Sequence, residues 1–287
     1  MLQERLDLRS GLVLALAIIS AVRSADAASC VWKVTGPNGG TLYLGGSVHA
    51  LHSTDYPLPS AYNRAFDAST RLVLEADPTA LSRESKEFLK AGQYPKGDTL
   101  KNHVDPRTYD YLRRFFALWN VPEQEFRRFR PWYIEMRLSS PPLQYWLLGV
   151  EPFLIKRAYA NSKPITGLES LKEGVELFSG LSDRESEALL LILFINAGRD
   201  KPADSVLDAW RRGDADSLWQ IARQQFRDYP EFEEREVNAR NRNWIPKIES
   251  YMRSGQTYFV VVGAGHMGGP QGLLALLRSR GCEIEQL

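Results

Sequence analysis

The sequence lacks an excess of either charge. Its 36 Lys and Arg face 35 Asp and Glu, giving a formal net charge of +1. That excludes a general nucleic-acid binder, which carries a basic excess, and it argues against a disordered chain. No low-complexity segment and no obvious linker divides the sequence. Cysteine is scarce, with Cys30 and Cys282, and so is histidine, with His49, His52, His103 and His266. A long hydrophobic run is missing too. The most apolar stretch, "GLVLALAIISAV" at 11–22, falls short of the roughly 20 apolar residues that a transmembrane helix needs. What remains is a chain of 287 residues, 44% apolar, which suffices for one large domain or two small ones.

The short apolar run reads as the centre of an export signal. Arg5 and Arg9 precede it, and "ADA" at 25–27 offers small residues for cleavage after Ala27, as in secretory signals. The expectation is a protein exported to the periplasm or secreted, with residues 28–287 as the mature chain and no transmembrane span after cleavage. A signal anchor and a lipoprotein are the less favoured alternatives, since "AAS" before Cys30 lacks the usual leucine. In an exported protein an even cysteine count suggests a disulfide. Cys30 and Cys282 each begin an expected strand, and a bond between them would join the two ends of the chain.

The element pattern is α/β. Strands are expected at "CVWKVTG" (30–36) and "TLYLGG" (41–46), joined by the turn "PNGG", and again at "TRLVLEAD" (70–77), "SKPITGLES" (162–170), "TYFVVVGAGHMGG" (257–269) and "CEIEQL" (282–287). Helical spacing fills 58–69, capped by Ser60, and 182–198, capped by Ser182 or Asp183. A helix over 270–281 is expected with Pro270 in its first turn. The section from about 80 to 160 is largely helical and rich in aromatics, expected to bury its rings against the sheet. The whole predicts a central mixed β-sheet with flanking helices and a helical insertion.

Two histidines share one setting. Gly46-Ser47-Val48-His49 and Gly263-Ala264-Gly265-His266 repeat G-x-x-H after β-rich runs. Glycine permits sharp turns at φ values that other residues avoid, so each turn would aim its histidine over the carboxyl edge of the sheet. Glu75 ends "RLVLE" and Glu169 ends "PITGLE". Ligands of α/β sheets bind outside the carboxyl ends of strands, which would bring His49, His266, Glu75 and Glu169 to one crevice. Two imidazoles with one or two carboxylates suit zinc, manganese or iron. A water on such an ion is acidified for hydrolysis, and a carboxylate free of metal could act as general base. His52 is a supporting candidate beside that site, and His103, in a polar turn, is expected to be exposed.

Other motifs weigh less by spacing alone. "GAGHMG" matches G-x-G-x-x-G literally, but the chain ends too soon after it to complete a dinucleotide fold. In "ARNRNW" (239–244), Arg240 and Trp244 share a helix face. Arg240 could clamp a carboxylate and Asn241 could bond a ligand or a turn. Spacing favours a charged, solvent-facing helix there.

Taken together, "LYLGGSVHALHSTDYPLP", "LVLEAD", "GVE", "KPITGLES", "ARNRNW" and "VVVGAGHMGGPQGLLALLRSRGCEIE" resemble the TraB/GumN family, from about Cys30 to the end. The resemblance implies a fold similar to erythromycin esterase and the haem-binding lipoprotein ChaN. The family's Tiki members are similar to metal-dependent proteases. By this resemblance His49, His266 and Glu75 would be metal ligands for manganese, cobalt or zinc, with Glu75, Glu169 and Arg240 in catalysis and Asn241 beside them. "LGGSVH" departs from relatives by a second glycine, which should loosen the turn. The expected function is a metal-dependent hydrolase of peptides or small molecules outside the cytoplasm. The alternative is a binding protein for peptide or haem that regulates an export or polysaccharide system.

Overall fold

The computed structural model describes residues 28–197, 203–227 and 229–287. The export-signal reading concerns residues 1–27 and lies outside them. Among the described residues no helix is long and apolar enough to cross a membrane.

Six strands form one mixed sheet: β1 (Val31–Thr35), β2 (Thr41–Ser47), β3 (Arg71–Ala76), β4 (Ile165–Glu169), β5 (Tyr258–Gly263) and β6 (Glu283–Gln286). Their order is β4-β3-β5-β2-β1-β6. β4, β3, β5 and β2 run parallel, while β1 is antiparallel to both β2 and β6. β5 therefore enters between β2 and β3, which are consecutive in sequence. Its run Tyr258–Val262 is buried throughout, as expected of a parallel strand covered on both faces. Phe66 of helix Ser60–Ala68, Leu154 of Val150–Ala160, Ile248 of Ala239–Arg253 and Leu277 of Leu273–Arg278 join the same core.

Several local expectations change. Pro59, not Ser60, occupies the cap of helix Ser60–Ala68. The last helix starts at Leu273 rather than Pro270, because the chain first turns at Gly269, φ +77°, with Gly272 N–H bonded to the Gly269 carbonyl. Only the end of the aromatic insertion packs on the sheet core, through Phe153 and Leu154; the part before it does not. Its rings form two cores of their own with helix Asp183–Ala197, around Tyr94, Leu112, Phe126 and Leu190 and around Trp132, Leu189 and Phe232.

The expected disulfide is absent: Cys30 and Cys282 are free and buried. The reason is the ladder itself. β1 and β6 are antiparallel, with Trp32 opposite Gln286 and Thr35 opposite Glu283. Two residues that each begin such a strand sit at opposite ends of the pair. At about 3.3 Å per residue they lie some five or six residues apart along the ladder, far beyond the roughly 4.4–6.8 Å between Cα atoms that a disulfide spans.

Candidate functional site

The four parallel strands end level. Gly263 pairs with Ser47, and Ala76 with Glu169. Both glycine motifs meet this edge, but for a reason other than turning. None of Gly45, Gly46, Gly263 or Gly265 has a positive φ; Gly45 and Gly46 lie inside β2. What they supply is close approach. A Cβ on Gly263 would stand 3.3 Å from Glu75 Oε1 and 3.6 Å from the His266 ring. Its bare backbone instead donates its N–H to Glu75 Oε1 at 2.7 Å.

Arg240 links the carboxylates. Its Nη2 donates to Glu75 Oε2 and to Glu169 Oε1, both at 2.6 Å, and its Nε donates to Glu169 Oε2 at 3.0 Å. The bond to Glu169 is the two-pronged form that fixes a guanidinium in place. Trp244, one turn on, covers the guanidinium at 4.6 Å and donates its indole N–H to Glu169 at 3.3 Å. Arg240 thus leaves the solvent-facing position that spacing alone suggests. A π turn, Glu234–Asn238, immediately precedes its helix, and the Glu236 carbonyl accepts from Arg240 Nη1 at 3.3 Å. Burial opposes ionisation of Glu75, but the Arg240 charge, then His266 and the Gly263 N–H, hold its carboxyl down to about 2. Burial alone would lower the Arg240 pKa, yet the two carboxylates raise it above its ordinary value.

His266 is buried beside them, its Nε2 4.0 Å from Glu75 Oε1. Asn241 decides which nitrogen carries its proton. The Asn241 amide nitrogen donates to the carbonyls of Gln271, at 2.8 Å, and His266, at 3.3 Å. Its oxygen is then left to accept from His266 Nδ1 at 2.8 Å. Nδ1 holds the proton and Nε2 presents a lone pair toward Glu75 and Arg240, with Arg240 Nη1 at 3.4 Å. Burial, reinforced by the Arg240 charge and opposed by Glu75, pushes the His266 pKa down to about 4. The imidazole is neutral at neutral pH, the form that binds metal or accepts a proton.

His49 stands at the open side of the edge, its side chain 65% exposed. Its Nδ1 lies 3.2 Å from Glu151 Oε1, which also accepts from Ser47 at 2.6 Å. The bond to Glu151, with that carboxylate's charge, raises the His49 pKa to about 9. Glu151 comes from the first turn of helix Val150–Ala160. Gly149 allows that helix to approach, since a Cβ there would meet the His49 carbonyl at 2.6 Å. Glu151 is a site residue to which spacing gives no role, because a carboxylate in a first helical turn is ordinary; its signal is the motif "GVE", which helps carry the family resemblance.

The structure thus gathers His266, Glu75, Glu169, Arg240 and Asn241 into one network, with His49 beside it. Among the described residues no three His, Cys, Asp or Glu side chains already stand at ligand spacing. His52 is apart from this network: exposed, it opens the short turn Ser53–Asp55, with its ring edge-on to Tyr145 at 5.5 Å. His103 is not a free surface residue. Its two ring nitrogens reach Asp98 and Asp183, each at 2.7 Å, and it stacks on Tyr94 at 3.9 Å. It ties the helical insertion to the first turn of Asp183–Ala197.

The sequence profile of the TraB/PrgY/gumN family matches residues 30–286. No curated protein and no solved structure matches the chain.

Proposed function

The chain belongs to the TraB/PrgY/gumN family, and from that premise we propose that it is a metal-dependent hydrolase acting on peptides outside the cytoplasm. One observation carries the reading: a buried imidazole, held neutral with Nε2 unprotonated, faces a carboxylate held ionised at the carboxyl edge of a parallel sheet. That donor chemistry fits a divalent ion such as manganese, cobalt or zinc. His266 Nε2, Glu75 and His49 would hold it, His49 first giving up to solvent the proton that Glu151 keeps on its ring, and when bound it would supply a polarised, acidified water.

The chain's own groups have separate tasks. Asn241 keeps the proton on His266 Nδ1, away from the site. Arg240 holds Glu75 and Glu169 in fixed positions and offers positive charge to a developing oxyanion. Glu169 and Trp244 anchor Arg240 from behind. Glu151 orients His49 at the entrance.

The test is elemental analysis of the exported protein, purified without chelator, beside His49→Ala and His266→Ala. About one equivalent of metal in the wild type, lost in both variants together with hydrolysis of a peptide library, is the expected result. Full metal content in the double variant would end the assignment.

The His49–Glu151 pair favours one second reading, a metal-independent hydrolase with His49, kept protonated by Glu151, as the general acid. It predicts hydrolysis that survives chelation but is abolished in Glu151→Gln.

A further inference from the structure

A cleft of about 620 Å³ opens beside the site, within the roughly 300–1,000 Å³ usual for ligand pockets. It meets the site at His49, with Ser47, Gly263 and Gly265 of the same sheet edge in its lining. The far wall comes from two helices. Val206 and Leu207 of Ala203–Arg211 and Leu218, Ile221 and Ala222 of Ala215–Gln225 line it. Positions 218, 221, 222 and 225 form one stripe of the second helix at i, i+3, i+4 and i+7 spacing, turned onto the edge of the sheet. Gly265 fits tightly under that stripe, since a Cβ there would stand 3.2 Å from the Ala222 methyl.

The lining fixes the chemistry of what enters. Among the described residues its lining contains no Asp, Glu, Lys or Arg; its ionisable groups are His49, His52 and the phenol of Tyr145. A charged group placed against the apolar wall would lose its water without gaining an ionic partner. The mouth continues in the same character. Tyr145 forms its lip against His52, and Leu143 and Trp146 beyond are 69% and 43% exposed. An apolar rim running outward from an apolar cleft suits an extended chain with several side chains better than a compact small molecule.

We propose that this cleft is the specificity pocket of the site, and that the substrate is a peptide whose residue beside the scissile bond carries a bulky aliphatic or aromatic side chain. The proposal rests on the hydrolase reading for the cleavage and on the cleft alone for the binding. Ile221 and Val206, half-buried on the far wall, set the size of the side chain admitted.

The two parts are tested separately. A blocked hexapeptide carrying one photoactivatable leucine is irradiated with the full chain, and the sites of attachment are mapped by mass spectrometry. Attachment should concentrate on residues 206–207 and 218–225. It should fall about tenfold in Ile221→Arg and in Val206→Trp, since one removes apolar surface that a leucine side chain would bury against and the other fills the space it would occupy. Labelling elsewhere, or labelling unchanged in both variants, overturns the pocket. Labelling by a photoactivatable fatty acid but not by the peptide overturns the peptide assignment. A randomised peptide library then reads cleavage: one position flanking the cut should be enriched about tenfold in Leu, Phe or Met, and lose that preference in Ile221→Arg. Cleavage without any apolar preference overturns the proposal. Attachment in the cleft with no cleavage of any peptide leaves the pocket standing and sinks the hydrolase reading instead.

Discussion

Asn241 and His266 are bonded twice, through His266 Nδ1 to the amide oxygen at 2.8 Å and through the amide nitrogen to the His266 carbonyl at 3.3 Å. One fully buried amide therefore fixes both the ring and the backbone of the histidine. Groups that orient a ligating or catalytic histidine typically contribute 10–100-fold to affinity or activity. Asn241→Ala should lower peptide hydrolysis and metal affinity by about that factor. Asn241→Asp should raise the pKa of His266, because a carboxylate favours the imidazolium. Nuclear magnetic resonance titration of the His266 ring reads this directly, and an unmoved midpoint would show that Asn241 does not control it.

Arg240 neutralises two largely buried carboxylates. Removing it leaves Glu75 and Glu169 facing each other without a counter-ion. Breaking a buried pair from one side costs about 3–5 kcal/mol, so Arg240→Ala should lose about that much stability in urea unfolding at pH 7.5. The sign with pH follows from Glu75. Its folded pKa is depressed to about 2, so its contribution is present above its unfolded value of about 4.3 and is lost as pH falls toward 2. Arg240→Ala should flatten that acid limb. A variant as steep as the wild type would place the stabilisation elsewhere.

Gly263 separates the need for space from the need for a turn. An alanine there has an ordinary φ available but sets a Cβ at 3.3 Å from Glu75 Oε1. The carboxylate must give way by a few tenths of an ångström. Gly263→Ala should cost activity at least tenfold, with stability changed by about 1 kcal/mol or less. Equal losses in both would make the glycine a folding residue only.

The histidines were legible because a repeated G-x-x-H is visible in one dimension, and Glu75 and Glu169 because a carboxylate at the end of a buried run stands out. Arg240 was not legible from spacing. Its partners are 71 and 165 residues away, and only the fold shows that the charged helix turns this face inward. Glu151 was visible only as the end of "GVE", and its pairing with His49 was hidden for the same reason. The strand order depends on β5 entering between β2 and β3, a tertiary choice to which no local pattern refers. The cysteines show the opposite failure. Each stands one residue before a strand, Val31–Thr35 or Glu283–Gln286, and antiparallel pairing is what then keeps them apart.

Reductant should therefore change nothing. A disulfide closing a loop of some 250 residues would contribute about 5 kcal/mol in the chain-entropy account. Neither the mass after alkylation nor Tm should respond to reductant. Both thiols should react only on unfolding, since burial pushes Cys30 up to about 12 and raises Cys282 as well. A Tm that falls under reduction would reinstate the bond.

The two site histidines should pull stability in opposite directions with pH. Burial holds the folded pKa of His266 at about 4, below its ordinary 6.5. Between those values the unfolded chain binds a proton that the folded chain refuses, so stability falls as pH drops from 6.5 to 4. Glu151 raises the folded pKa of His49 to about 9. Its contribution is full below 6.5 and is lost as pH rises through 9. Tm measured from pH 4 to 10 on the metal-free protein should thus decline on both sides. His266→Asn, whose amide can still donate to Asn241, should flatten the acid side alone. His49→Gln should flatten the alkaline side alone, and by less, because the largely exposed His49 is screened by solvent. If His49→Gln instead flattened the acid side, the imidazole would not be held protonated by Glu151, and its place at the entrance would need another explanation.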